Sequence, residues 1–320
     1  MDYSAILEKI EKYNSIVIFG HTNPDGDCYG SQMALRRAIK LNCPEKKVYA
    51  VGTGVHRFFK MLGRMDVVSD NVIEQSLAII VDGNDIPRME DQRIKSALDF
   101  IKFDHHVDVG SFTEGPFIVK EDATSCSEIL LDFFRSNNWE IDTLIAQALL
   151  LGILTDSARF NFVSDYPKVF KDVAFLCEKG ANLASLNYEL NQTNEDAAIF
   201  KGYVYNHYQK TPHGLIYCKL TKQKLEKYRL SSNTAGSFVN LLSNIRGYPI
   251  WAFFCENRDG SMHIELRSSG PVVQPIALKY GGGGHPYAAG TTIVNPTDEI
   301  IDNFINDLDL LAKHWKEEQK

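Results

Sequence analysis

The chain has 320 residues, 44% hydrophobic and 23% charged, a composition that fits two ordinary globular domains and excludes wholesale disorder. Its 34 basic and 41 acidic residues give a formal net charge of −7. That balance argues against coating long duplex nucleic acid, which requires Lys and Arg to neutralise phosphates, but leaves room for a small anion in a local basic or metal-lined pocket.

The N-terminal residues contain no basic segment followed by an apolar core, so no signal peptide is expected. Residues 16–19 form a β-branched run that predicts a strand, and helical periodicity follows over 31–40. Further strands are predicted at 48–51, 77–81 and 100–103. Continuous apolar strands separated by helices predict an α/β domain, its sheet mostly parallel with helices on both faces. Three helices are expected next. The first, 125–135, opens on Ser125-Cys126-Ser127-Glu128, the pattern of a capping box. The second covers 141–154, and the third covers 167–179 and stops at Gly180. The apolar stretch 144–154 is too short for a bilayer, which needs ~20 such residues, so no membrane contact is expected.

The polar, Asn- and Gln-rich residues 187–210 read as a helical connector between a first domain, 1–186, and a second, 211–320. The second domain predicts strands at 214–220, 250–255 and 262–267 and helices at 235–245, 272–279 and 297–316. It reads as a smaller C-terminal α+β domain. The six cysteines form no CxxC pair, which predicts reduced thiols in a cytoplasmic protein.

The acids and histidines fall at element ends. Strand 16–19 runs into Gly20-His21-Thr22-Asn23-Pro24-Asp25-Gly26-Asp27, strand 77–81 into Asp82, strand 100–103 into Asp104-His105-His106, and helix 141–154 into Thr155-Asp156. One Asp after a strand is ordinarily a turn or cap residue, and one His ordinarily packs. Four segments sharing the pattern are hard to produce by accident. In a parallel α/β sheet the strand ends would converge on one crevice. Carboxylates gathered there repel unless cations lie between them. Mixed His and Asp donors suit a pair of first-row dications, Mn²⁺, Co²⁺ or Zn²⁺ ahead of Mg²⁺. The chemistry that such a pair supports is metal-assisted hydrolysis of a phosphoester.

These motifs resemble those of the DHH family of phosphoesterases, named for the triplet that stands here as Asp104-His105-His106. The resemblance extends over nearly the whole chain and includes His21 to Asp27 with Gly30-Ser31, Val81-Asp82-Gly83-Asn84-Asp85, and Gly152 to Ser157. It implies that His21 and Asp25 bind a first metal, that Asp27, His105 and Asp156 bind a second, and that Asp82 bridges them. It further implies that His106 faces the substrate phosphate and that Asp104 orients a histidine. Adjacent residues point in different directions, so spacing agrees that one of the two histidines binds metal without saying which. Gly83 stands where the family often has a hydroxyl residue.

The second half carries Gly281-Gly282-Gly283-Gly284-His285 after a strand that ends in Arg267-Ser268. Consecutive glycines let backbone N–H groups approach a phosphate, and an Arg can fork onto it. There is no GK[ST], so this is no P-loop. The segment resembles the DHH-associated domain, which implies that Arg267, Ser268, Gly283, Gly284 and His285 hold the nucleotide end away from the metals. Two domains of this length resemble the nanoRNase type of the family. That implies two Mn²⁺ ions, hydrolysis of short oligoribonucleotides to 5′-mononucleotides, and removal of the 3′-phosphate of adenosine 3′,5′-bisphosphate (pAp). The expected partners are thus short oligoribonucleotides and small phosphorylated nucleotides, and a homodimer is compatible with them. The rival readings are a cyclic di-AMP or pApA phosphodiesterase with the same residues, and a nucleotide sensor without turnover.

Overall fold

A computed structural model describes residues 3–107 and 115–319. The chain divides into two compact units, Met1–Gln192 and Thr193–Lys320. In the first unit five strands, β1 (Ser15–Phe19), β2 (Lys47–Ala50), β3 (Leu77–Val81), β4 (Asp99–Asp104) and β5 (Phe117–Val119), form a sheet of order β2-β1-β3-β4-β5. Every pairing in it is parallel. The order reverses between β1 and β3, and the crevice at such a switch point is where doubly wound sheets bind ligands.

Burial explains the apolar strand sequences. Ile16, Ile18, Ile79 and Phe103 face one core, and Val17, Phe19, Ala78 and Ile80 face another on the opposite side. The first face is covered by long helices, among them Gly26–Asn42, Cys126–Ser136 and Thr143–Asp156. Among the described residues, the other face carries the short helix Asp70–Glu74 and 3₁₀ turns, with Ile73, Met89 and Ile94 in its core. Residues 145–154 are all buried, which accounts for a helix apolar on every side. It crosses the helix Gly26–Asn42 at Gly30, where a Cβ would lie 2.4 Å from the Ala148 carbonyl oxygen.

The second unit holds a six-stranded mixed sheet, β10-β11-β9-β8-β7-β6. Its strands are β6 (Gln209–Lys210), β7 (Leu215–Leu220), β8 (Ile250–Glu256), β9 (Met262–Ser268), β10 (Gly283–His285) and β11 (Ala288–Ile293). Only β7 and β8 pair in parallel. The helix Asp298–Glu318 buries Phe304 and Leu308 in one of this unit's cores.

The structure departs from the sequence expectation in four places. The stretch read as a connector, 187–210, is shared between the units: the helix Leu183–Asn191 ends in the first, and Glu195–His207 sends Phe200 and Val204 into a core of the second. Two apolar residues in a polar stretch suffice to dock it. The helix expected at 235–245 is broken into Ser232–Gly236 and a 3₁₀ turn, Val239–Leu242. Ser237 and Ser243 each hydrogen-bond a carbonyl three residues back, which competes with α-helical pairing. The helix expected from 31 begins at Gly26, inside the first motif. Within the glycine run, read only as backbone that can approach a phosphate, Gly283 and Gly284 open β10, which pairs antiparallel with β11.

Candidate active site

Each residue of the site is placed by an element terminus. Asp25 is the N-cap of the helix Gly26–Asn42, and its Oδ1 accepts from the backbone N–H of Asp27 (2.9 Å) and Cys28 (3.0 Å). Asp27 lies in the first turn of that helix and is fully buried. Its carboxylate meets the N-terminus of a second helix, Cys126–Ser136: Oδ2 accepts from Cys126 N (2.7 Å) and Oδ1 from Ser127 N (3.0 Å). Ser125 caps that helix as expected, but Glu128 reaches back to the N–H of Thr124 rather than closing the box on Ser125.

Asp82 ends β3 in a left-handed backbone conformation, φ 56°, with its N–H on the Phe103 carbonyl. Two imidazoles approach its two oxygens. His21 Nε2 is 3.5 Å from Oδ2, and His105 Nε2 is 3.3 Å from Oδ1. His105 Nε2 also lies 2.9 Å from Asp156 Oδ2, and its Nδ1 is 3.4 Å from the Ala123 carbonyl oxygen. Among the described residues, three groups bring donor atoms within 4.8 Å of one another: Asp27, His105 and Asp156; Asp82, His105 and His106; and His21, Cys28 and Asp82.

The structure thus brings His21, Asp27, Asp82, His105 and Asp156 together. Asp25 stands at the rim, half exposed, its Oδ1 4.0 Å from His21 Nε2. His106 is also more exposed than His105, and Asp104 Oδ1 holds its Nδ1 at 2.9 Å. The same oxygen accepts the backbone N–H of His105 and of His106. The histidine ring oriented by Asp104 is therefore His106, the one facing outward. Cys28 was not singled out by the sequence. It is buried against His21 and Asp82, and burial, with the Asp82 charge, pushes its thiol pKa well up. The hydroxyls of Ser31 and Ser127, 3.0 Å apart, complete the surroundings of Asp27. The capping serine at 125 was the sequence signal that a helix N-terminus lay nearby. At Gly83 the place of a side chain is taken by Met89, whose Cε would lie 2.2 Å from a Cβ there.

The electrostatics show what the cluster lacks. Burial raises the Asp27 pKa well above the carboxylate range, and the charges of Asp82 and Asp156 raise it further. Burial also opposes ionisation of Asp82, yet His105 and His21 hold its pKa well below the usual range. Burial disfavours charge on both histidines, but Asp82 and the Thr22 carbonyl raise His21 to about 9, and Asp156 and Asp82 raise His105 to about 11. Two imidazolium ions thus supply positive charge among the carboxylates. Among the described residues, Asp82 Oδ1 and Asp104 Oδ2 are buried without a hydrogen-bond partner, although His105 Nε2 lies 3.3 Å from the former. Oxygen and imidazole donors, mutual carboxylate repulsion and an orphaned buried oxygen fit a site for divalent cations.

In the second unit the predicted anion-binding residues cluster at one end of the sheet. Arg267 pairs with Ala288 across the β9–β11 ladder, and His285 also faces Ala288 across the β10–β11 ladder. Arg267 Nη1 donates to Glu265 Oε2 and to the Leu266 carbonyl, both at 2.8 Å. The Ser268 hydroxyl is spent on the Pro271 carbonyl, and its N–H on that of Tyr287. A Cβ on Gly284, where φ is 128°, would lie 2.6 Å from the Ala288 carbonyl oxygen, whereas Gly283 has open space beside it.

Residues 15–153 match the DHH family, N-terminal domain, and residues 214–314 match the DHHA1 domain. A bifunctional oligoribonuclease and PAP phosphatase NrnA of Mycoplasma genitalium is 35% identical over 90% of this chain and 92% of its own. The protein of the same name in Bacillus subtilis is 30% identical over 97% and 98%. An exopolyphosphatase-related protein of Bacteroides fragilis has the same fold, with a TM-score of 0.85 at 21% identity over 97% of each chain. With its Asp and His termini gathered at one sheet edge, and with matches to both the DHH and the DHHA1 domains, the chain belongs to the DHH family of phosphoesterases and is a hydrolase.

Proposed function

We propose that this protein hydrolyses short oligoribonucleotides to 5′-mononucleotides and removes the 3′-phosphate of pAp, as the names of its relatives say of them. Both reactions open a phosphoester at a ribose 3′ oxygen, so one pocket serves both. The observation that carries the reading is Asp82, nearly fully buried, with His21 on one oxygen and His105 on the other. That arrangement supports a carboxylate shared by two cation sites. His21 and Asp25 would hold the first ion, and Asp27, His105 and Asp156 the second. Two divalent cations, Mn²⁺ ahead of Co²⁺, Zn²⁺ or Mg²⁺, would supply Lewis acidity and a water nucleophile at neutral pH.

The chain's own residues do the rest. His21 and His105 must lose their protons for cations to enter, so loading releases protons. Asp27 stays in place because two backbone N–H groups fix it. Asp104 holds His106 Nδ1, which leaves Nε2 as the ring nitrogen available to the substrate phosphoryl group. His106→Ala is expected to lower kcat by about 10²-fold with both ions still bound, read by steady-state kinetics beside metal analysis. Loss of an ion would transfer the ligand role from His105 to His106.

Arg267, Gly283, Gly284 and His285 form the anion anchor of this reading, and Ser268, both of whose donors are spent on carbonyls, belongs to its frame. Arg267 contributes its guanidinium, already oriented by Glu265, and Gly283 an approachable backbone. Arg267→Ala should raise KM for dinucleotides by roughly tenfold or more and leave kcat within a few-fold. An unchanged KM in the same assay removes the anchor from Arg267.

The deciding assay mixes Mn²⁺-loaded protein with pAp, a ribodinucleotide and cyclic di-AMP in parallel and resolves the products by chromatography. AMP from pAp and mononucleotides from the dinucleotide, with cyclic di-AMP untouched, support the proposal. Preferred opening of cyclic di-AMP overturns it in favour of cyclic-dinucleotide turnover.

A further inference from the structure

The segment after Asp156 has an unusual backbone. Ala158, Arg159 and Phe160 are three successive non-glycine residues in the left-handed region, with φ of 45°, 57° and 66°. Such residues ordinarily visit that region singly, at an energetic cost that the surroundings must offset. Here the bonds that hold them are all local. Ala158 N–H donates to the Thr155 carbonyl, Arg159 N–H to that of Leu154, and Phe160 N–H to the Ser157 hydroxyl at 2.9 Å. Tyr166 closes the turn from outside, its hydroxyl 3.1 Å from the Phe160 carbonyl oxygen.

The turn sorts its apolar side chains. Phe160 and Val163 pack against the core of the first unit, and Phe160 also meets Phe170 at 5.4 Å between ring centroids. Phe162, between them, is 74% exposed. Its N–H is fixed on the Ser157 carbonyl at 2.9 Å, so its backbone is tied while its ring stands free. The ring lines an open cavity of about 560 Å³ together with His105, His106, Thr124, Asp156 and Tyr166. That volume lies in the range of small-ligand sites, ~300–1,000 Å³. Arg159, by contrast, lines a different hollow with Leu154 and Leu190. The turn packs Phe160 and Val163 but leaves Phe162, which shares a cavity with the two histidines, outside the core.

We propose that Phe162 is a base-stacking residue, against whose ring lies the nucleobase adjoining the phosphoryl group at His106 and Asp156. This rests on the function proposed above and deepens it, because it assigns the substrate's base a partner in the first unit. Every base has a π-face, so the contact gives affinity with little sequence preference and ranks purines above pyrimidines by stacking area.

The test compares wild type, Phe162→Ala and Phe162→Tyr on diadenosine, diuridine and a dinucleotide lacking one base. Calorimetric Kd for the phosphorothioate-linked diadenosine is measured alongside KM and kcat. Phe162→Ala should raise both Kd and KM for diadenosine by about tenfold and for diuridine by less. The abasic dinucleotide should bind both proteins alike, and Phe162→Tyr should restore the wild-type values. Melting temperature should not move, since the ring is exposed. An equal penalty with and without the base, or no penalty, overturns the stacking role. If wild type cleaves none of these substrates, the functional reading fails, and the Kd comparison still decides whether Phe162 stacks.

Discussion

Asp82→Ala is expected to abolish turnover of phosphoester substrates and to weaken the binding of both proposed cations. The expected loss in kcat is on the order of 10³-fold or more, because one carboxylate is asked to serve two sites at once. Removing even an outer partner of a metal ligand commonly costs about 10–100-fold in affinity, and Asp82 lies inside two of the three groups of donors and beside His105 of the third. His21 loses the carboxylate that holds its proton and falls towards the ordinary range, whereas His105 keeps Asp156 and loses only its second partner. The backbone adds a complication that a second variant resolves. Asp82 has φ 56°, where Asn is tolerated better than Ala. Asp82→Asn keeps the shape and the turn but removes the charge. Both variants should be inactive, with Asp82→Asn the more stable in a thermal melt. Metal content by mass spectrometry and kcat on pAp check the pair, and wild-type activity in Asp82→Asn would falsify the shared-carboxylate site.

Gly152→Ala has the second large effect, and it comes from space rather than charge. Gly152 sits inside the helix Thr143–Asp156, where Ala would ordinarily gain about 1 kcal/mol of helix propensity. A Cβ there would lie 2.0 Å from Ser127 Oγ and 2.4 Å from Asp27 Oδ1. Both atoms are buried and bonded, so relief requires Asp27 to leave the N-terminus of the helix Cys126–Ser136. Overpacking of this kind costs about 1–3 kcal/mol, which offsets or exceeds the propensity gain. The net change in stability is therefore small, and the loss falls on the site. Cation affinity at Asp27, His105 and Asp156 should drop by about 10–100-fold, while the site at His21 is affected less. Titration with Mn²⁺ followed by electron paramagnetic resonance should show one tight and one weakened site. Two sites of unchanged affinity would mean that Asp27 has room to adjust.

The linear pattern carried the parallel sheet and its site because both rest on local signals. Apolar runs such as Leu77–Val81 are what a strand buried on both faces requires, and each hands the chain directly to an Asp or His. Once the strands lie parallel, their ends share an edge, so His21, Asp82 and His105 were bound to meet. Ser125 likewise announced its helix through its own hydrogen bond to Glu128. The DHH motifs supplied the assignment of roles, which spacing alone did not.

Other features arose only from contacts between distant segments. That Asp104 holds His106 rather than His105 follows from how the chain turns after β4, not from the order Asp-His-His. Cys28 enters the site because the helix Gly26–Asn42 starts early enough to bring its first turn against β1. Gly283 and Gly284 join a strand although glycine is depleted in strands, and Gly282 and Gly284 pass too close to β11 for any side chain. The exposure of Phe162 depends on three left-handed residues whose hydrogen bonds reach back into the preceding helix. What the sequence by itself determined were the strands, the caps and the chemical kinds of residue at their ends, since these rest on neighbours in the chain. Which atom faces which was decided by tertiary packing, because direction is set by what fills the space on the other side.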